Sequence, residues 1–85
     1  MPEWPAVTLY GKVDCHLCDE AEVLVASVTR ESGHGYRKVD ILSAPDLYER
    51  YRYRIPVVQV DDGPVLDWPF TPGQLRRAVQ AAVRP

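Results

Sequence analysis

A chain of 85 residues holds one domain, since two cores would each be too small for apolar burial to offset chain entropy. A hydrophobic fraction of 46% with 26% charged residues excludes a disordered chain, a coiled coil or a collagen-like repeat. Lys and Arg number 10 against 12 Asp and Glu, and the net charge of -2 supplies no general attraction for nucleic acid or an anionic membrane.

Val7-Thr8-Leu9-Tyr10, β-branched and aromatic and closed by Gly11, reads as a buried first strand. From Cys15 to about Arg30 there is neither Pro nor Gly. Leu17, Ala21, Leu24, Val25 and Val28 recur there at three- and four-residue steps, which predicts a helix with those side chains inward. Asp19, Glu20 and Glu22 fall in its early turns, where the helix dipole favours acids. Gly33 and Gly35 stop it, and Tyr36 to Ile41 alternates as a second strand. Ser43 is placed to cap a short helix that has Pro45 in its first turn and runs to about Tyr51. Pro56 opens Val57-Val58-Gln59-Val60, Asp61-Asp62-Gly63 supplies a turn, and Val65 to Trp68 returns as a hairpin. Thr71, Pro72 and Gln74 form a capping-box signature for a last helix from Pro72 to about Val83, with Leu75, Ala78, Val79 and Ala82 inward.

This order predicts an α/β domain over residues 1–85: a right-handed βαβ unit, then a helix, a hairpin and a closing helix, in a four-stranded mixed sheet with helices on both faces. No apolar run nears the ~20 residues of a membrane span. Met1-Pro2-Glu3-Trp4-Pro5 lacks the basic and apolar regions of a signal peptide, so the expected location is the cytoplasm.

The chemistry sits in Cys15-His16-Leu17-Cys18. A disulfide closing so short a loop removes little unfolded-state entropy, so a stabilising staple is a weak reading, and in a reducing compartment such a pair is more often catalytic or metal-binding. At a helix N-terminus the unpaired amides and the dipole favour a thiolate over a thiol, which makes Cys15 the reactive sulfur. Cys18 shares its face one turn deeper, within reach of a disulfide, and is the natural resolving thiol. Lys12 assists ionisation of Cys15 and the adjacent Asp14 opposes it. The plainer alternatives are an inert buried pair or half of a zinc site; zinc wants four ligands, and beyond the thiols only His16 and His34 offer imidazole, so no metal site is expected.

Other residues have modest readings. His16 faces solvent and tunes the thiolate rather than acting as a general base, and His34 is loop. Arg50-Tyr51-Arg52-Tyr53-Arg54 is a solvated helix end and linker, or else places Arg54 to hold the carboxylate of a peptide or of glutathione by a bidentate contact. Trp4, Trp68 and Phe70 pack in the core or at its rim, with Trp68 near enough to the site to line a groove.

The segment Tyr10-Gly11-Lys12-Val13-Asp14-Cys15-His16-Leu17-Cys18, with Ile55-Pro56-Val57-Val58 opening a later strand, resembles the glutaredoxin branch of the thioredoxin-like fold over nearly the whole chain. The resemblance implies a thiol-disulfide oxidoreductase with Cys15 attacking, Cys18 resolving, Lys12 assisting, and Pro56 cis and facing the site. A cis peptide there would turn the backbone of Ile55 outward and offer its N–H and C=O to an extended substrate. Lys12, Arg54, Ile55 and Pro56 are thus the expected substrate-binding residues. Expected substrates are protein disulfides or glutathione mixed disulfides; no cofactor is held tightly, glutathione or another thiol is the reductant, and the chain acts as a monomer. Where dithiol glutaredoxins commonly have Pro-Tyr between the cysteines, this chain has His-Leu. Their Gly-Gly and following Asp, which hold the γ-glutamyl end of glutathione, give way to Leu66-Asp67-Trp68-Pro69-Phe70. The alternatives are a thioredoxin-like module that binds a protein partner or senses redox state without turnover, and a metal carrier.

Overall fold

The computed structural model describes residues 5–82. In chain order they form β1 (Val7–Gly11), α1 (His16–Glu31), β2 (Arg37–Asp40), a 3-10 turn at Ile41–Ser43, α2 (Pro45–Tyr51), β3 (Val57–Val60), β4 (Val65–Asp67) and α3 (Pro72–Ala82). The strands lie in the order β2-β1-β3-β4, with β1 parallel to β2 and antiparallel to β3, and β3 antiparallel to β4. The expected mixed sheet is therefore present.

Alternation along the central strands divides the core in two. Val7 and Leu9 of β1 and Val58 and Val60 of β3 face α1 and α3, packing with Ala21, Val25, Val28, Phe70, Leu75 and Val79. Val57, pointing the other way, joins Ile41 and Tyr51, with Tyr10, Leu47 and Val65 around them, so α2 covers the second face. Fully burying a Val or Leu contributes roughly 1.5–3 kcal/mol, which makes the larger cluster the main source of stability. The capping box at α3 forms as expected: Thr71 N–H donates to Gln74 Oε1 at 2.8 Å and Gln74 N–H to Thr71 Oγ1 at 3.1 Å.

Several boundaries and faces differ from expectation. Leu17 is 48% exposed, and Cys18 takes the inward place at the top of the α1 stripe. Ser43 does not cap α2; its hydroxyl donates to Asp40 C=O at 2.6 Å within the 3-10 turn. Ala44 is the N-cap, extended as a residue before proline must be. Asp40 ends β2 by accepting Leu42 N–H, so Tyr36 and Ile41 fall outside that strand. Trp68 lies past the end of β4, with its ring edge-on to Phe70. Val83 and Trp4 lie outside the described residues.

Candidate active site

The site is built at one end of the sheet by strand register. Gly11, the last residue of β1, stands opposite Asp40 of β2. Tyr10 pairs with Val57 in β3, and continuing that register by one residue places Pro56 across from Gly11. Pro56 is in turn next to Trp68, whose N–H donates to Pro56 C=O at 3.3 Å. The turn 12–14 leads from Gly11 directly into Cys15, and Cys18 lies at the Gly11 and Asp40 end of the sheet. Ile55-Pro56 is a cis peptide bond, as is Trp68-Pro69.

Cys15 is the N-cap of α1, extended at φ -115 and ψ 104, and its Sγ accepts the Cys18 N–H at 3.2 Å. Sulfur thus occupies the place where a Ser or Asp side chain ordinarily satisfies the first amides of a helix. Cys15 and Cys18 are joined in a disulfide with Cα atoms 5.1 Å apart. Their exposure is unequal: Cys15 is half-buried, Cys18 is 7% exposed. Asp14, immediately before Cys15, has a left-handed backbone at φ 56, a conformation that Asp tolerates better than most residues. Val13 and Leu17, two residues either side of Cys15, are exposed apolar side chains.

Beside Cys18 opens a cleft of about 360 Å³, lined by Gly11, Lys12, Asp14, Asp19, Glu22 and Lys38 among others. Glu22 lies one turn below Cys18 on α1. The Tyr36 hydroxyl donates to Glu22 Oε2 at 2.7 Å and Lys38 Nζ stands 3.0 Å from Oε1, which together hold its carboxyl below the usual carboxylate range. The same hydrogen bond to Glu22, helped by burial, pushes the Tyr36 hydroxyl up. His16 is solvent-exposed, 3.3 Å from Glu20.

Of the residues expected to bind substrate, Lys12 borders this cleft, while Pro56 is buried, across from Gly11 by the continued register of β1 and β3. Ile55 differs from expectation: its N–H donates to Tyr51 C=O at 3.0 Å, closing the end of α2. Among the described residues its C=O accepts no hydrogen bond. Arg54 also differs. Its guanidinium forks onto Asp67, with Nε 3.0 Å from Oδ1 and Nη2 3.2 Å from Oδ2, and lies 5.6 Å from the Tyr51 ring centroid. The Arg-Tyr run continues as a ladder: Arg50 lies over Tyr51, and Arg52 lies over Tyr48 and Tyr53. Sequence reasoning missed Asp67 as the partner of Arg54. Its only trace was the hairpin itself, whose register sets Asp67 opposite Val57, three residues beyond Arg54.

A βαβ unit followed by a hairpin and a helix, with a CxxC pair at the tip of the first helix and a cis proline just before β3, defines a thioredoxin-fold protein. The chain belongs to the family described as Glutaredoxin-like domain (DUF836), whose model matches residues 6–80. It is similar to a structural-genomics target protein, XcR50 from X. campestris, at 36% identity. The X-ray structure of that protein gives a TM-score of 0.74 with 91% of this chain and 99% of that chain covered. Its solution structure gives 0.75, with 94% and 99% covered. Thioredoxin 1 from Thermosipho africanus, at 10% identity and a TM-score of 0.67 over 89% of this chain and 91% of that one, shares the fold alone. No curated protein matches the chain. Among the described residues no helix is long and apolar enough to cross a membrane.

Proposed function

We propose that this chain is a thiol-disulfide oxidoreductase acting on protein disulfides. The observation that carries the reading is the inequality of the two sulfurs: Cys15 is half-buried at the helix tip and accepts the Cys18 amide, whereas Cys18 is buried one turn in. A thiolate at Cys15 keeps that amide hydrogen bond and gains from the helix dipole, which lowers its pKa and makes it the attacking group. It attacks one sulfur of a substrate disulfide, forming a mixed disulfide and expelling the other substrate sulfur as a thiolate that takes up a proton. Cys18 then loses its proton and attacks Cys15 Sγ, releasing the second substrate thiolate and leaving the Cys15–Cys18 disulfide. Two electrons have passed to the substrate, and an external thiol, glutathione or another, returns the pair to the dithiol.

Protein disulfides fit better than glutathione mixed disulfides. Val13 and Leu17, exposed and apolar two residues either side of Cys15, suit a side-chain-bearing partner, and the unbonded Ile55 C=O offers it a backbone contact. Glutathione is small and anionic, yet Arg54 already spends its fork on Asp67, leaving Lys12 to face Asp14 and Asp19 at the cleft. Reduction of a model protein disulfide, with dithiothreitol supplying electrons, tests the reading. The wild-type chain should accelerate it and Cys15→Ser should abolish the acceleration, whereas no acceleration by the wild-type chain would remove the reading.

A further inference from the structure

Gly11 is the residue against which the buried sulfur rests. A Cβ placed on Gly11 would come 3.0 Å from Cys18 Sγ and 3.2 Å from Cys18 Cβ, well inside the ~3.5–4.0 Å at which non-bonded carbon-sized atoms settle. Neither side can easily retreat. Gly11 ends the strand at the middle of the sheet, held by its pairing with Asp40 on one side and by the Pro56 end of β3 on the other. Cys18 begins the buried stripe of α1, and Ala21 and Val25 below it are fully buried, so the helix cannot lift without opening the core.

We propose that Gly11 is a positioning residue that sets how readily the Cys15–Cys18 disulfide forms. In the oxidised protein the bond to Cys15 fixes Cys18 Sγ against Gly11, and only the absence of a side chain at residue 11 makes room for it. In the dithiol, Cys18 Sγ is free to rotate to another staggered position, so a methyl group at residue 11 is relieved in one redox state and not in the other. The contact with Cys18 Cβ persists in both states and cancels. A side chain there therefore disfavours the disulfide relative to the dithiol and makes the pair easier to reduce. The inference rests on the proposed dithiol cycle, and it adds the residue that tunes it.

The test is the redox equilibrium of Gly11→Ala against wild type. Protein disulfide and dithiothreitol dithiol exchange two electrons and two protons to give protein dithiol and cyclic dithiothreitol disulfide. The oxidised and reduced fractions are read after acid quench and alkylation. Gly11→Ala should shift the constant about tenfold toward the protein dithiol, which for a two-electron couple is about 30 mV. Thermal melts of both states should show the oxidised form losing more stability than the reduced form. An unchanged constant, with both forms losing stability equally, would make Gly11 merely structural and overturn the inference. A wild-type pair that dithiothreitol cannot reduce would instead overturn the oxidoreductase reading, so the two failures are distinct. Should Gly11→Ala not fold, Gly11→Ala/Cys18→Ala is compared with Cys18→Ala. Recovery of folding once the sulfur is gone supports the Sγ contact; continued failure to fold places the clash at the Cβ of residue 18, which is the same in both redox states, and overturns the inference.

Discussion

Arg54 and Asp67 meet as a two-point fork, Nε to Oδ1 at 3.0 Å and Nη2 to Oδ2 at 3.2 Å, joining the segment before Pro56 to the end of β4. Arginine in this geometry is matched to one carboxylate at a time. Asp67→Asn keeps the size of the side chain, removes its charge, and frees the guanidinium for a carboxylate on the substrate. An ion pair between exposed groups is worth ~0.2–1 kcal/mol, so kcat/KM for a glutathione mixed disulfide should rise by up to about fivefold. The value for an uncharged peptide disulfide should not change. Equal effects on both substrates in steady-state kinetics would show that Arg54 does not reach the bound molecule.

Lys12 and Asp14, both exposed, carry opposite charges on the turn that leads into Cys15. Asn tolerates the left-handed backbone of Asp14, so Asp14→Asn is a charge change with little conformational cost. It should lower the Cys15 pKa by removing a like charge, and Lys12→Gln should raise it by removing an opposite one. The rate of iodoacetamide labelling at Cys15 across pH measures both. Shifts in the same direction would contradict the electrostatic account.

Glu22 ties α1 to β2 through Lys38 and to the residue before β2 through Tyr36, and the tie depends on pH. The carboxyl is held below its unfolded value, chiefly by the Tyr36 hydrogen bond and then by Lys38. Its contribution to stability is therefore complete above the unfolded pKa and is lost as pH falls through the folded one. Tyr36 behaves in the opposite sense: its hydroxyl is raised by Glu22, so its contribution is complete below the unfolded value and is lost as pH rises through the folded one. The wild-type advantage over Glu22→Gln in urea unfolding should be about 1 kcal/mol or less near neutral pH and vanish in strong acid. An advantage that persists unchanged into strong acid would contradict this assignment.

The reciprocal bonds of Thr71 and Gln74 predict that Thr71→Ala destabilises the chain by about 1 kcal/mol, read as an earlier urea midpoint. A midpoint unchanged by Thr71→Ala would mean that solvent replaces the cap at no cost.

That cap was legible because its signal is local, as were the central strands and the apolar steps along α1 and α3. Reading Cys18 only as a chemical group left Leu17 as the apparent start of the α1 stripe; counting Cys as the small apolar residue it also is would have put the stripe one residue later. Ser43 misled because the 3-10 turn that uses its hydroxyl is nucleated by Asp40, a residue that read as strand. The partners of Arg54 and Glu22 lie 13 and 14 or more residues away, and only folding brings them together. The tie between Ile55 N–H and Tyr51 C=O was hidden for another reason: the run after α2 reads as a linker, yet it continues the helix end by one more backbone bond.

The central claim is that Cys15 captures a partner and Cys18 releases it, and trapping tests it most directly. Cys18→Ser, incubated with a peptide disulfide and analysed by mass spectrometry without reductant, should accumulate one peptide attached at Cys15. Cys15→Ser should accumulate far less at Cys18, which is buried. Attachment mainly at Cys18, or none at either residue, would contradict the account.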